Sequence, residues 1–480
     1  MALVKTYGNY VLFCLGVLTL LLVFVFQVHN RLDQTFRDSE LTVRFSSEDS
    51  RHYVEMATAF HEGDWFEGIV ERAHRQPLYP ALLATAMAVG ADSLRGLAVV
   101  NILVGGLTIL LLLGIGRWVF ARWWVGLIGA LAYVSSEFII GNIGGRLMTE
   151  PLYILVVTTT LAFALKYLET NRLAYLLGAS AAAGLAYLTR PNGLFLFVAM
   201  WVTFLVHDLV RQVANGTDDT SCSEGPALDF VENIPPKVVI RHSAIAAGLG
   251  LSHLVFPTFL FPLALLWLTT FAYDLCVQYK AGTFHCAWLA RILSLRLSKA
   301  TMFILKRYLF VALTFAVLTV PSWLPRVIEY GDPLYHGYLP NYMWVDSYEE
   351  GHVGGAPRYT FWDYVNSHDV GDVVYRTTFG IMDVFWRVPD SYGASGVAFY
   401  LVALLGLVFS MLSYRLTCLA IAGFLLLQAS PIVWTALSNG NGRVAYSALF
   451  PFLLIYVMVS ARLFWFRMSD FYRGVLFGVP

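Results

Sequence analysis

The residues with the most chemical potential lie in the stretch Ser46 to Pro80, SSEDSRHYVEMATAFHEGDWFEGIVERAHRQPLYP. It opens on an acidic pair, Glu48 and Asp49, and closes on Arg75-Gln-Pro-Leu-Tyr-Pro80. A carboxylate such as Asp49, at the mouth of a helical bundle, could take the proton of an attacking hydroxyl, which is general-base work. The same acids also suit a plainer role. In the first turn of a helix beginning near Ser50 they complement its dipole, with Ser46 or Ser47 as the cap. The Arg-x-Pro-x-Tyr-Pro segment likewise reads either as part of a site or as a rigid turn seating the next helix.

Two further turns carry charge between apolar runs: Gly144-Gly-Arg-Leu-Met-Thr-Glu-Pro151 and Leu188-Thr-Arg-Pro-Asn-Gly193. Ionisable residues at membrane depth are costly and point to function. Arg146, Arg190 and, ahead of the last apolar run, Arg443 could each hold a phosphate through a bidentate fork, as could Arg75. The structural alternatives are an i,i+4 pair between Arg146 and Glu150, or arginines that snorkel to the interface. A later stretch, Asn341-Tyr-Met-Trp-Val-Asp-Ser-Tyr-Glu-Glu350, offers Trp344 as an apolar face for a sugar ring. Asp346, Glu349 and Glu350 there could accept hydrogen bonds from hydroxyls. An interfacial aromatic belt is the commoner use of any one such ring. Glu350 and His352 could ligate a divalent metal, but their spacing is unspecific, and no cofactor is certain. Gly178-Ala-Ser180 has the Gly-x-Ser of an intramembrane serine protease, without a partner histidine at a defined spacing; small residues for close helix packing explain it better.

What positions these residues is a membrane bundle. The chain has 480 residues, 58% hydrophobic and 13% charged, with mean hydropathy +0.63. Soluble domains carry about 25% charged residues. Lys plus Arg and Asp plus Glu balance at 32 each, and no basic stripe or nucleic-acid motif is present, which sets that class aside. None of the five cysteines falls in an expected outer loop, so no disulfide framework is implied.

Residues 1–28 hold the first expected span, Tyr10 to Val28, long enough for a ~30 Å core of about 20 apolar residues. A signal peptide is the rival reading, but no small-x-small cleavage site follows. Residues 29–93 form a first outer loop. In it Tyr53, Met56, Ala57 and Phe60 make one helical face expected to lie along the membrane surface, and Pro77 to Val89 is a second interfacial piece. The core, 94–210, has spans at about Leu97–Ile115, Val125–Ile140, Pro151–Leu168, Tyr175–Leu188 and Leu194–Val210. Arg117 with Arg122, Lys166 with Arg172, and Arg211 with Lys237 and Arg241 mark the cytoplasmic turns by the positive-inside rule. Arg146 and Arg190 then share the outer side with Asp49. Residues 211–307 are a cytoplasmic or interfacial insert, where Pro257 and Pro262 suggest a hairpin in Ala244–Leu275. A span at Tyr308–Leu324 (308–325), a second outer loop at 326–394, and spans at Val397–Leu412, Leu416–Ala436 and Ala445–Phe464 (395–480) complete an all-α, multi-spanning protein of 10 or 12 helices.

These motifs, in this order, resemble the GT-C superfamily of integral-membrane glycosyltransferases, nearest the lipid A aminoarabinose transferase and protein O-mannosyltransferase type. Asp49-Ser-Arg-His-Tyr53 is similar to its first-loop Asp-x-x-x-Tyr, and Arg75 to Pro80 to its Arg-x-Pro-x-Tyr-Pro. Arg146 to Glu150, Thr189-Arg-Pro191, Tyr330-Gly-Asp-Pro333 and Arg443 ahead of Pro451 resemble later landmarks. The resemblance implies a polyprenyl-phosphate-linked sugar donor used on the non-cytoplasmic face, with Asp49 as the catalytic carboxylate. It implies a lipid, glycan or protein acceptor, with membrane lipids around it. Glu48, Tyr53, Tyr79 and Glu150 join Trp344, Asp346, Glu349 and Glu350 as expected substrate contacts. Many relatives place a second acid directly after the aspartate; here that position is Ser50, and the neighbouring acid is Glu48. Two other readings stand beside this one. One is a lipid or solute transporter or flippase, which would show broken helices and paired repeats. The other is a family member that binds lipid without catalysis.

Overall fold

In hydrocarbon every backbone N–H and C=O must be satisfied within the chain, so apolar runs of this length fold as helices. A computed structural model describes residues 2–37, 48–215, 299–336, 343–347, 349–350, 359–390, 393–412, 416–438 and 442–477, with no strand among them. The helices are α1 (Ala2–Arg37), α2 (Glu48–Glu62), α3 (Trp65–Glu71), α4 (Leu78–Ala88), α5 (Leu94–Trp118), α6 (Trp123–Val134), α7 (Glu137–Gly145) and α8 (Glu150–Thr170). They continue with α9 (Leu173–Thr189), α10 (Gly193–Asn215), α11 (Lys299–Tyr330), α12 (Phe361–Ser367), α13 (Val370–Asp390), α14 (Gly393–Leu412), α15 (Leu416–Thr435) and α16 (Gly442–Phe477).

Five of them contain stretches long and apolar enough to cross a membrane: Cys14–Arg37, Leu94–Trp118, Glu150–Thr170, Thr301–Tyr330 and Ser447–Trp465. The expected spans at Tyr175–Leu188, Leu194–Val210, Val397–Leu412 and Leu416–Ala436 coincide with shorter apolar helices. The hairpin expected in Ala244–Leu275 lies outside the described residues.

Four expectations need correction. The span read as Val125–Ile140 is two helices, α6 and α7, bent by 63°. The break falls where the Ser136 hydroxyl accepts the Ile139 N–H at 3.4 Å and so caps a new helix. The first outer loop does not begin at His29, because α1 runs on to Arg37, supported by an i,i+4 pair of Asp33 with Arg37. The second outer loop does not begin at Arg326: α11 continues through Pro321 and Pro325 to Tyr330, and residues 361–390 are largely helical. The last turn of α11 is held by tertiary bonds, since Tyr330 Oη donates to the Val70 carbonyl at 2.9 Å. Finally, the Tyr53, Met56, Ala57 and Phe60 face is buried against Tyr79, Leu83 and Leu97 of α4 and α5 rather than laid on the membrane surface. The periodicity is as read, but protein covers the stripe.

A main core joins α1, α5 to α11 and α13 to α16. α8 lies at its centre, with Tyr153, Ile154, Val157 and Leu161 all but inaccessible. α5 and α6 approach closely at Gly126, where a Cβ would stand 2.6 Å from the Leu112 carbonyl oxygen. The smaller cluster under α2 and α4 meets this core at the start of α8, and that junction carries the site.

Candidate functional site

α2 presents Asp49 on its first turn, and the turn ahead of α4 brings Arg75 to it. An Arg75 guanidinium N–H donates to Asp49 Oδ1, with both side chains mostly buried. Arg75 also stands 5.2 Å over the Tyr53 ring. Behind Tyr53 an edge-on contact reaches Tyr79, whose ring centroid is 5.4 Å away. Tyr79 is fully buried, its Oη donating to Asn101 Oδ1 at 2.9 Å, and Asn101 Nδ2 donates to the Arg146 carbonyl at 3.1 Å. One line of contacts therefore runs from the first-loop pair to the turn ahead of α8.

A second ion pair lies at that turn. Glu150 is 1% exposed, and its Oε1 accepts from Arg190 at 2.9 Å. Arg190 also donates to Thr149 Oγ1 at 3.3 Å. The i,i+4 spacing of Arg146 and Glu150 suggested a local pair, but the fold supplies Arg190 from the next turn instead. Glu150 Oε2 is buried without a hydrogen-bond partner among the described residues. Its place in the first turn of α8 also lets it complement the helix dipole.

The two turns share one cavity of about 650 Å³. Its wall takes Tyr53 from α2, His74, Arg75 and Gln76 from the turn ahead of α4, and Thr189, Arg190, Pro191 and Asn192 between α9 and α10. Asp332 and His336 follow α11, and Trp344, Tyr359, Thr360 and Phe361 close the aromatic side opposite Gln428 and Thr435 of α15. Of the expected site residues, Tyr53, Arg75, Arg190 and Trp344 line the cavity. Asp49 and Glu150 stand behind their arginines, Tyr79 is fully buried, and the half-buried Arg146 is not among the lining residues. The Glu48 and Arg443 side chains lie outside the described residues, as does His352.

Two lining histidines are held neutral. Burial, and then the Arg75 charge, push His74 down to about 4. Burial, and then Arg326, push His336 down to about 3. Both can therefore hydrogen-bond a substrate without adding charge at neutral pH. Beneath the turn sits Arg326, fully buried, which the sequence reading left in a loop. It donates to the carbonyls of Ala73 at 3.0 Å and Arg75 at 2.9 Å, and to Ser322 Oγ at 2.5 Å. Ser322 Oγ in turn donates to Gln76 Oε1 at 2.6 Å. A planar guanidinium can bridge these acceptors at once, and an ammonium cannot match that geometry.

Asp346 does not reach the cavity. Its Oδ2 accepts from His368 Nε2 at 2.6 Å and its Oδ1 from Arg376 at 3.0 Å. Arg376, 1% exposed in its side chain, also donates to the Trp434 carbonyl at 2.8 Å. Trp434 Nε1 closes the tie by donating to the Met343 carbonyl at 2.7 Å. Asp346 thus anchors the Trp344 segment to α13 and α15. Glu350 accepts the Asp346 N–H at 3.3 Å, and Glu349 is exposed. Sequence reading missed His74, Gln76, His336, Arg326, His368 and Arg376 as single residues. Asp332 belongs to the Tyr330-Gly-Asp-Pro333 motif, and Arg326 is visible in the sequence as a lone cation beside an apolar run. The histidines gave no signal. Among the described residues no group of three His, Cys, Asp or Glu side chains could hold a metal ion.

Residues 74–216 match the family model described as dolichyl-phosphate-mannose-protein mannosyltransferase. This bears out the resemblance to the GT-C superfamily over that stretch, which is similar to a membrane glycosyltransferase family of that type. The matched stretch contains Arg75, Arg146, Glu150 and Arg190, and begins after Asp49. No curated protein matches the chain. Among solved structures, the archaeal oligosaccharyltransferase AglB from Archaeoglobus fulgidus, in complex with an inhibitory peptide and a dolichol-phosphate, overlaps at 15% identity and a TM-score of 0.25, covering 81% of this chain and 48% of that one. The Archaeoglobus fulgidus oligosaccharyltransferase in its apo form overlaps at 16% identity and a TM-score of 0.27, with coverage of 81% and 48%. The chain spans about half the length of these structures, and at such scores the overlap is too slight to transfer a site.

Proposed function

We propose that this protein transfers a sugar from a polyprenyl-phosphate-linked donor to an acceptor hydroxyl on the non-cytoplasmic face, with Asp49 as general base. The observation that carries the reading is the meeting of two carboxylate–arginine pairs, Asp49–Arg75 and Glu150–Arg190, at one aromatic-walled cavity. A sugar phosphate offers a ring for aromatic faces and an anion for guanidinium groups, and this wall has both.

The step balances simply. Asp49 takes the acceptor proton as the hydroxyl oxygen bonds to the anomeric carbon. The bond from that carbon to the phosphate oxygen breaks, and the lipid phosphate leaves with the electron pair. Direct displacement inverts the anomeric centre. Arg75 and Arg190 are the lining arginines that stabilise the departing charge, and an electrostatic contribution of this kind is often the largest in catalysis. Arg146, from the turn ahead of α8, and Arg443, from the start of α16, are assigned the same phosphate role. Glu150 orients Arg190. Trp344 takes the sugar ring, with Asp346, Glu349 and Glu350 on the segment that carries it.

The transporter reading gains one observation, the 63° break between α6 and α7. A single assay separates the two. Purified protein in proteoliposomes receives a labelled polyprenyl-phosphate-sugar and candidate lipid, glycan and peptide acceptors. Transfer yields labelled acceptor and free polyprenyl phosphate in equal amounts. Label that crosses the membrane while remaining on its carrier, with every acceptor, would sink the transferase reading.

A further inference from the structure

α1 is apolar over most of its length, yet Gln27, Asn30, Arg31 and Gln34 fall at i, i+3, i+4 and i+7. That spacing aligns them on one helical face. The face looks onto the break between α6 and α7, where Ser135, Ser136 and Glu137 stand. Between them lies a groove of about 480 Å³, within the ~300–1,000 Å³ usual for small-molecule sites. It is distinct from the cavity described above and shares no lining residue with it. The turn from Gly144 to Glu150 separates the two. Gly144 backs onto Arg31, where a Cβ would meet the Arg31 Cβ at 2.9 Å, while Glu150 at the far end of the turn pairs with Arg190.

Two polar atoms of this groove are left unused by the protein. Gln27 Oε1 and Arg31 Nε are buried without a hydrogen-bond partner among the described residues. Such atoms are normally satisfied, and their exceptions point to a missing water or ligand. The charged lining is one cation, Arg31, and one anion, Glu137, so the groove is neutral overall. Three side-chain amides and two hydroxyls complete the polar set, and each can both donate and accept. A ring of sugar hydroxyls, which also donate and accept, matches that set. A phosphate, which at neutral pH chiefly accepts, would meet the Glu137 carboxylate.

We propose that this groove binds a neutral, hydroxyl-rich group: a saccharide, presented as the head of a glycolipid or free in solution. The proposal does not depend on the transfer reading, because occupancy of the groove needs no turnover.

The test uses the full chain in nanodiscs, with monoglucosyl diacylglycerol as the probe and phosphatidylglycerol as the anionic control, bound lipid being counted by native mass spectrometry. Wild type is expected to retain the glycolipid over the control. The double variant Gln27→Leu, Asn30→Leu is expected to lose that retention on the order of tenfold, as the removal of one or two hydrogen bonds implies. Arg190→Gln, in the other cavity, should retain it. Competition by free methyl glucoside assigns recognition to the saccharide alone, and its failure to compete assigns it to the lipid-borne form. Thermal stability of the double variant is measured alongside; if it unfolds, Gln34→Leu, on an exposed side chain, replaces it with the same expected loss. Equal retention by wild type and variant, or phosphatidylglycerol held as firmly as the glycolipid, overturns the proposal.

Discussion

Glu150 and Asp208 are both carboxylates buried in the helical bundle, 1% and 6% exposed, and they are treated in opposite ways. α8 carries Glu150 at its start and Tyr167, a partner of Asp208, near its end. Seventeen residues of helix set these ends about 25 Å apart. At the Asp208 end the carboxyl is crowded with partners. Tyr167 and Tyr308 donate to Oδ2, Tyr308 at 3.0 Å, and the His207 ring lies 3.0 Å from Oδ1. Arg307 closes the cluster on the Asn171 carbonyl at 3.2 Å. Three helices, α8, α10 and α11, are tied there, and no residue of the cluster lines the large cavity. At the Glu150 end one oxygen holds a lining arginine and the other has no partner among the described residues. Saturated polar groups hold helices together, whereas under-used ones beside a cavity are available for chemistry.

The contrast can be broken by mutation. Asp208→Leu should have the largest effect on stability, about 3 kcal/mol, since it orphans two tyrosine hydroxyls and a histidine. Reversible unfolding in detergent measures it, and turnover per folded molecule should stay near wild type. A loss of turnover without a loss of stability would merge the two ends into one functional unit. Glu150→Gln should do the reverse. By freeing Arg190 it should lower turnover about 10²-fold, the cost of a misplaced site group, while stability changes by about 1 kcal/mol. Arg326→Lys should give a smaller loss, roughly tenfold in turnover, because an ammonium placed on the two carbonyls that Nη2 holds cannot also reproduce the Nη1 bond to Ser322 Oγ. A Lys variant equal to wild type would show that the turn needs only a charge beneath it.

The smallest expected effect sharpens the comparison by pH. His368 sits above its ordinary value: burial pulls it down, but hydrogen bonds to Asp346 and to the Tyr364 carbonyl, with the Asp346 and Asp372 charges, raise it further. The folded protein thus holds a proton that the unfolded chain has released. The stabilisation is complete below the unfolded value near 6.5 and is lost as pH rises through the raised folded value. His74 and His336 act in the opposite direction. Their lowered values, about 4 and about 3, make stability fall as pH drops below about 6.5. His368→Gln should remove only the alkaline slope in a thermal-stability profile. An unchanged slope would place that titration elsewhere.

Much of the scaffold was legible before any coordinates. Apolar run length located most spans, and the Tyr53, Met56, Ala57 and Phe60 stripe predicted a helix, though with that face on the membrane surface, where protein covers it instead. The motifs located the turns that carry Arg75 and Arg190. What could not be read was pairing between distant turns. Asp49 meets Arg75 across 26 residues and Glu150 meets Arg190 across 40. Local spacing favoured Arg146 for Glu150, and tertiary geometry overrode it. α12 and α13 were read as loop because their charges are interspersed with apolar residues, and their order comes from Asp346, Arg376 and Trp434 tying them to α15. The break at Ser135 and Ser136 was legible only as two hydroxyls in an apolar run.

The central claim is that Asp49, held by Arg75 at the wall of the cavity, takes the proton of the acceptor. Its most direct test is Asp49→Asn in purified enzyme supplied with a defined polyprenyl-phosphate-sugar and acceptor. An amide keeps the shape and removes the base. Turnover should fall by about 10²–10⁴-fold, the range expected for loss of general-base catalysis, with thermal stability little changed. Near-normal turnover in Asp49→Asn would contradict the account and remove Asp49 from the role of base.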